Sequence, residues 1–463
     1  MKRRLPLISP LALPLILSAC LSNPPPPAAD VAVPATYRFS SSSTTGDAVS
    51  ADWWRGFGSD ELDRLVAQAS IGNYDVAAAI ARVKQARANA TIAGAARLPN
   101  LSAFADASRQ GGFMVNNDLP SGSAFDAGLL ASYEIDFWGK NRAASDAAIA
   151  RVRASEFDRA TVQLTLSADV ANAWLQTVAL REREGIAQGN LDTARGILRT
   201  VESQYRAGFV TALDAAQQRT LVAAQQRAVA QLRQQAGDSE AQLATLLGVP
   251  ASGFTIGTRS LDALRAPDIG AGVPSTLLMR RPDIAYSEAQ LAAAHANVAA
   301  ARAAMFPTIT LSASFGTGSD RAQRIFDNPL YTIAAGLTAP IFDAGALAAG
   351  RDLALAQQEE LLATYRQAVV TSFADVERAL NATAGTDAQS RAQDDELREA
   401  RHTLELAQSR YRAGAETALT VLDAQRTLYT AEDERVQVRL ARLQAAVSTY
   451  RALGGGWRAN DAR

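Results

Sequence analysis

Residues 125–139 read FDAGLLASYEIDFWG, a stretch in which apolar and polar side chains alternate. Phe125, Ala127, Leu129, Ala131, Tyr133, Ile135 and Phe137 form one set, and Asp126, Ser132, Glu134 and Asp136 fall between them. A period of two with one apolar face describes a strand buried on one side, or a barrel strand with lipid outside and water inside. The pattern returns at Ile309, Leu311, Ala313 and Phe315, and again at Tyr331, Ile333, Ala335, Leu337 and Ile341. An ordinary antiparallel sheet edge is the plainer explanation, and the flanking sequence argues against it. Beyond the N-terminal leader no hydrophobic run reaches the length of a membrane-spanning helix, so a chain that crosses a bilayer must do so as strands of a closed barrel.

After each strand pair the chain runs without proline, over 121–249 and from 341 onward, in Ala, Gln, Arg, Leu and Glu, which are strong helix formers. The segment from Gly139 to Tyr205 alone predicts a helix of about 66 residues, about 100 Å long at the usual rise, and a globular domain has no room for it. Leu422, Tyr429, Val436, Leu443 and Tyr450 fall seven apart, with Leu440 and Val447 in the second seam position. Val222, Val229, Ala236 and Leu243 repeat the same step, which is coiled-coil spacing.

These elements come twice. Asn73-Tyr74-Asp75-Val76 matches Arg281-Pro282-Asp283-Ile284, and Leu98-Pro99-Asn100 matches Phe306-Pro307-Thr308. Tyr205-Arg206-Ala207-Gly208 recurs unchanged as Tyr411-Arg412-Ala413-Gly414. The nearly constant separation marks an internal duplication, with copies expected over 51–260 and 261–457 and a short tail over 458–463. Each copy predicts a shorter helix (about 59–95 and 283–305), two strands and two long helices.

The first twenty residues, MKRRLPLISPLALPLILSAC, carry a basic start, an apolar stretch and small residues before a cysteine, as secretory leaders do. Leu17-Ser18-Ala19-Cys20 resembles a bacterial lipobox, so 1–19 is read as a lipoprotein signal peptide and Cys20 as the acylated residue. Cys20 is the one cysteine in the chain, which excludes an internal disulfide. Leu21 follows it, where an aspartate would favour the inner membrane. Residues 20–50, rich in Pro, Ser, Thr and Ala, are read as a flexible tether.

The formal charge is −1, and loss of Lys2, Arg3 and Arg4 with the leader makes it −4, which leaves no footprint for nucleic acid. The two histidines, His295 and His402, stand apart, and no Gly-rich phosphate loop or ligand-spaced cluster accompanies them. No enzyme, no metal and no cofactor is expected, other than the covalent lipid on Cys20.

Several segments resemble the TolC-like outer-membrane factors, specifically the lipoprotein branch that serves resistance-nodulation-division pumps. They are Asp52-Trp53-Trp54 with Phe57, Tyr133 to Gly139, Arg280-Arg281-Pro282-Asp283-Ile284, Pro340 to Gly345, both Tyr-Arg-Ala-Gly segments and Leu453 to Trp457. The resemblance spans about residues 20–457 and implies a mixed α+β membrane protein. Three chains would each give four strands to a 12-stranded transmembrane barrel, continued by a long α-helical periplasmic tunnel. It also implies a periplasmic adaptor and an inner-membrane transporter as partners, outer-membrane lipid around the barrel, and passive conduction out of the cell. Two strand pairs per chain cannot close a barrel alone, which agrees with a homotrimer.

The Tyr-Arg-Ala-Gly segments interrupt the long helices, so Tyr205, Gly208, Tyr411 and Gly414 are expected at the periplasmic tip turns, as candidates for adaptor contact. An aspartate follows each turn in what reads as an equivalent context, Asp214 and Asp423. By the resemblance both face the pore constriction, where rings of carboxylates would attract cations. The competing reading is a solvated or helix-capping aspartate. Two other functions compete: a duct for type I protein secretion, and a structural coiled-coil lipoprotein. The latter leaves the four alternating segments unexplained.

Overall fold

The computed structural model describes residues 30–39, 49–111, 122–267, 269, 270 and 272–458. The signal peptide, Cys20 and most of the expected tether lie outside the described residues. Four strands form one antiparallel sheet in the order β1 (Asn100–Gln110), β2 (Gly122–Ile135), β3 (Thr308–Ser319) and β4 (Pro329–Thr338). The sequence copies therefore meet at β2 and β3. Their register sets Leu129 opposite Phe315 and Ala131 opposite Ala313, while β4 continues the row with Tyr331 opposite Phe315. Asp126, Ser132 and Glu134 share the other face, since successive side chains alternate. Among the described residues nothing covers the apolar face: Phe315, Tyr331, Ile333 and Leu337 are all exposed. Such a contiguous apolar surface needs lipid or protein against it.

The expected helix over about 59–95 is two, α1 (Asp60–Gly72) and α2 (Tyr74–Ala95). They are followed by α3 (Lys140–Arg206), α4 (Ala212–Leu246), α5 (Pro282–Ala303), α6 (Ala346–Arg412) and α7 (Ala418–Ala452). Helices α3 and α6 each have 67 residues, and α4 and α7 each have 35. The heptad positions are the buried ones: Val222, Val229, Ala236 and Leu243 in α4, and Leu422, Tyr429, Val436 and Leu443 in α7.

The chain divides into two compact units, each built from both sequence copies. One contains the sheet with residues 82–95 of α2, 140–156 of α3, 286–303 of α5 and 346–367 of α6. Here the two strand-to-helix corners share a device. Asp136 accepts from the N–H groups of Asn141 (3.0 Å) and Arg142 (2.6 Å), and Asp343 from those of Gly345 (3.0 Å) and Leu347 (2.7 Å). Each carboxylate thus satisfies donors that a helix start leaves open. Trp138 stacks on Phe306 at 4.7 Å and donates to the Pro307 carbonyl at 2.7 Å.

The other unit holds the main core, in which Trp53, Phe57 and Leu62 pack with Trp174, Leu175, Leu243, Leu261, Val436 and Val447. Tyr37, within the expected tether, is buried here, and the Arg38 N–H donates to Glu377 of α6 at 2.8 Å. Glu61 of α1 accepts from the Trp174 indole (3.1 Å) and from the N–H groups of Gly257 (2.6 Å) and Thr258 (3.1 Å). It thereby fixes the segment that joins the two copies.

Asn73 explains the break between α1 and α2. It adopts an extended backbone, its Nδ2 donates to the Leu246 carbonyl at the end of α4 (2.9 Å), and its Oδ1 caps α2 at Asp75 and Val76. The matching residue of the second copy is Arg281, whose Nη1 reaches the Ala452 carbonyl at the end of α7 (3.4 Å). Arg281 also grips Asp283 through Nε and Nη2 and Asp375 through Nη1. Two different side chains thus close the open carbonyl end of a returning helix. The following glycines allow the close approach. A Cβ on Gly248 would lie 2.2 Å from the Gly72 carbonyl oxygen, and one on Gly454 2.0 Å from that of Arg280, both at positive φ.

Gly248→Ala is expected to destabilise the protein by about 3 kcal/mol or to block folding, whereas Gly237→Ala, exposed within α4 with open space around it, should stabilise by roughly 1 kcal/mol. Chemical denaturation of the two variants checks this. Burial would raise the Glu61 pKa, but hydrogen bonds from Thr258, Gly257 and Trp174 outweigh it and hold the carboxyl below its ordinary value. A depressed carboxylate stabilises the fold above its ordinary pKa and loses that contribution as pH falls through the depressed value. Glu61→Gln should therefore be less stable than wild type at pH 7, and the difference should shrink as pH falls below the ordinary glutamate range.

Candidate functional site

Each long helix turns back through a glycine. Gly208 (φ +80°) follows α3, with the Phe209 N–H donating to the Gln204 carbonyl at 2.9 Å. Gly414 (φ +71°) follows α6, with the Ala415 N–H donating to the Arg410 carbonyl at 2.9 Å. Both turns use the left-handed cap that glycine adopts without strain, and the two Tyr-Arg-Ala-Gly segments produce the same geometry.

The two aspartates that follow are not equivalent. Asp214 is the third residue of α4 and completes a capping box: its Oδ2 accepts from the N–H (2.8 Å) and hydroxyl (2.7 Å) of Thr211, whose Oγ1 accepts from the Asp214 N–H (3.2 Å). The residue in that position of α7 is Thr420, bound to the cap Thr417, and the acid is supplied by Glu416. Hydrogen bonds from the Thr420 hydroxyl and the Thr417 N–H hold Glu416 below the usual carboxylate range. Asp423 lies three residues farther along α7, exposed, with the Arg426 guanidinium 3.7 Å away. The capping pattern Thr-x-x-Asp at 211–214 was present in the sequence and accounts for the difference.

Tyr411 joins the two hairpins. Its hydroxyl donates to Gln204 Oε1 on α3 at 3.0 Å. Burial raises its pKa, and the negative charge of Asp214 raises it further, so the phenol remains a donor at neutral pH. Gln204, Arg426 and Glu416 were not singled out from the sequence, because a Gln or a charged residue on a long polar helix gives no periodic signal. Tyr205 is half exposed at 45%, while Phe209 (82%) and Leu213 (64%) present apolar side chains beside the first turn. Tyr411 and Leu428 pack against Leu404, Ala407, Val421 and Ala424.

This geometry separates the roles of the two acids. Asp214→Ala should lower stability by about 1 kcal/mol through loss of the cap, and Asp423→Ala should change it by less than about 0.5 kcal/mol. Equilibrium unfolding, with hydrogen exchange of residues 211–216, measures both effects.

The sequence profile described as Outer membrane efflux protein matches residues 65–249 and again 273–455. The pyoverdine export outer membrane protein OpmQ of Pseudomonas aeruginosa is 50% identical over 454 residues, 96% of each chain. The solvent efflux pump outer membrane protein SrpC of Pseudomonas putida is 35% identical over 410 residues, 86% of this chain and 85% of that one. The solved structure of the outer-membrane channel OprN superposes with a TM-score of 0.88 at 28% identity, covering 95% of this chain and all of that one. The chain belongs to the outer membrane efflux protein family and is an outer-membrane efflux channel of the TolC-like type.

Proposed function

We propose that three copies of this chain close one 12-stranded barrel in the outer membrane and continue it as a helical periplasmic tunnel, the exit duct of a tripartite efflux pump. The observation that carries this reading is the sheet: among the described residues it has one uncovered apolar face and two outer strands, β1 and β4, each paired on one side only. In lipid an open strand edge leaves backbone groups without partners, and joining β4 of one copy to β1 of the next removes every edge. Polar Ser132, Ser312 and Thr310 would then face a water-filled lumen.

In this reading 1–19 is the signal peptide, Cys20 carries the lipid, 20–50 leads from it, 51–260 and 261–457 are the two copies, and 458–463 is the tail. The turns at Gly208 and Gly414 form the periplasmic tip, where Tyr205, Phe209 and Leu213 offer a surface to a periplasmic adaptor. Asp423 lines the constriction, and Asp214 acts there through its cap and its proximity to Tyr411. Conduction is passive, and an inner-membrane resistance-nodulation-division transporter supplies the energy. The relatives near 50% identity are named for pyoverdine export, which supports a cargo of that kind over a secreted protein. Solvent or toluene efflux, named for relatives at 35%, is the second cargo class to test.

Bilayer conductance of the purified trimer is the direct test. Wild type should give a small, cation-favouring conductance, and Asp214→Ala/Asp423→Ala should lose that preference. Intact trimers without conductance in either form would remove the barrel or gate assignment.

A further inference from the structure

The part of α7 that carries Asp423 is held against α3 partly through a buried amide. Gln425 has no exposed surface (0%). Its Nε2 donates to the Tyr429 hydroxyl at 3.3 Å, and that hydroxyl donates to the Asn190 carbonyl of α3 at 3.2 Å. A phenol has one proton, and here it is committed to Asn190, so Gln425 must turn its N–H side toward Tyr429. The carbonyl Oε1 then points the other way, where no protein donor reaches it. Leu422, one turn before Gln425, and Tyr429 pack in an apolar cluster with Leu191, Leu221 and Leu232.

Other buried glutamines of this unit are spent differently. Gln218 donates to the Ala194 carbonyl at 3.0 Å and Gln393 to the Ala431 carbonyl at 3.1 Å, each fastening two helices through a main-chain acceptor. Gln425 reaches its neighbour only through Tyr429, and it keeps an unmet acceptor. An unmet buried acceptor raises the free energy of the state that contains it, and water meets that acceptor once the turn is exposed.

We infer that Gln425 is a built-in bias toward release of α7: it weakens the packed position of the helix turn that carries Asp423, relative to a position in which that turn faces water. The inference rests on the assignment of Asp423 to the constriction. It makes the tip easier to open for a partner without loosening the core around Trp174, where the contacts are large and apolar. The size expected of one unmet carbonyl is roughly a tenfold change in the ratio of released to packed states.

The experiment uses the full-length trimer, followed by hydrogen exchange over residues 418–432 and by single-channel recording. Gln425→Met and Gln425→Leu keep the volume near that of the amide and remove the unmet oxygen. Both should slow exchange across this segment about tenfold and reduce the open-to-closed dwell ratio by a similar factor. Tyr429→Phe, which leaves the amide N–H unmet as well, should accelerate exchange. Exchange in the Met and Leu variants equal to or faster than wild type, with trimers intact, overturns the inference, as does slower exchange in Tyr429→Phe. A wild-type trimer that does not conduct removes the barrel or gate assignment, and the exchange measurements still decide whether Gln425 loosens the seam.

Discussion

The closing of two helix ends in the body of the protein is the constraint on which the arrangement depends. A helix of 35 residues that returns beside one of 67 finishes partway along it, with its last carbonyls facing other protein. Asn73 takes the Leu246 carbonyl and Arg281 that of Ala452. Each acceptor is the last residue of its helix, and each donor stands just before the helix that leads toward the sheet. The same contact therefore sets where a returning helix stops and where the next element begins. The chain has kept this junction in both copies while changing the chemistry, from a neutral amide to a guanidinium that also binds Asp283 and Asp375.

That divergence shows what a sequence can and cannot reveal here. Alternation over 125–137, 309–315 and 331–341, the heptads of α4 and α7 and the long proline-free runs are periodic signals, and they located β2, β3 and β4, the buried seams and the long helices, while β1 stood out by no such pattern and Phe137 and Ile341 lie beyond the strand ends. Asn73 carries no periodic signal. It sits where a helix former would continue the pattern, and only its partner 173 residues away turns it into a break. The matched segments at 73–76 and 281–284 marked the location without its meaning. Tyr37 was hidden in the same way: composition describes its segment as tether-like, yet its ring is buried and the neighbouring Arg38 bonds Glu377.

At the turns, sequence identity and structural equivalence part company. Tyr-Arg-Ala-Gly is repeated and folds alike, so the glycine caps were legible. The aspartates just beyond looked alike as well, yet one completes a capping box at the third helical position and the other lies a turn deeper beside Arg426. A shift of three residues on a helix moves a side chain about 4.5 Å along the axis and turns it by about 60°, so the two acids differ in level and in direction. The hydrogen bond of Tyr411 to Gln204 and the effect of the Asp214 charge on its phenol link different hairpins, and no local pattern contains them.

The pairing of β2 with β3 also dictates an order of events. Ile135 and Ile309 are partners in the sheet, although almost two fifths of the chain separates them. While that intervening length is being made, the hairpin of β1 and β2 exists with an apolar face and an unpaired edge, and two strands are marginal on their own in water. Helices α3 and α4 form from local contacts and can be complete well before the sheet has its second half. The sheet is thus the last part of this protein to take shape, and in the interval its first hairpin has the features of an aggregation nucleus. A chain of this design needs something to shelter that hairpin until the second copy arrives.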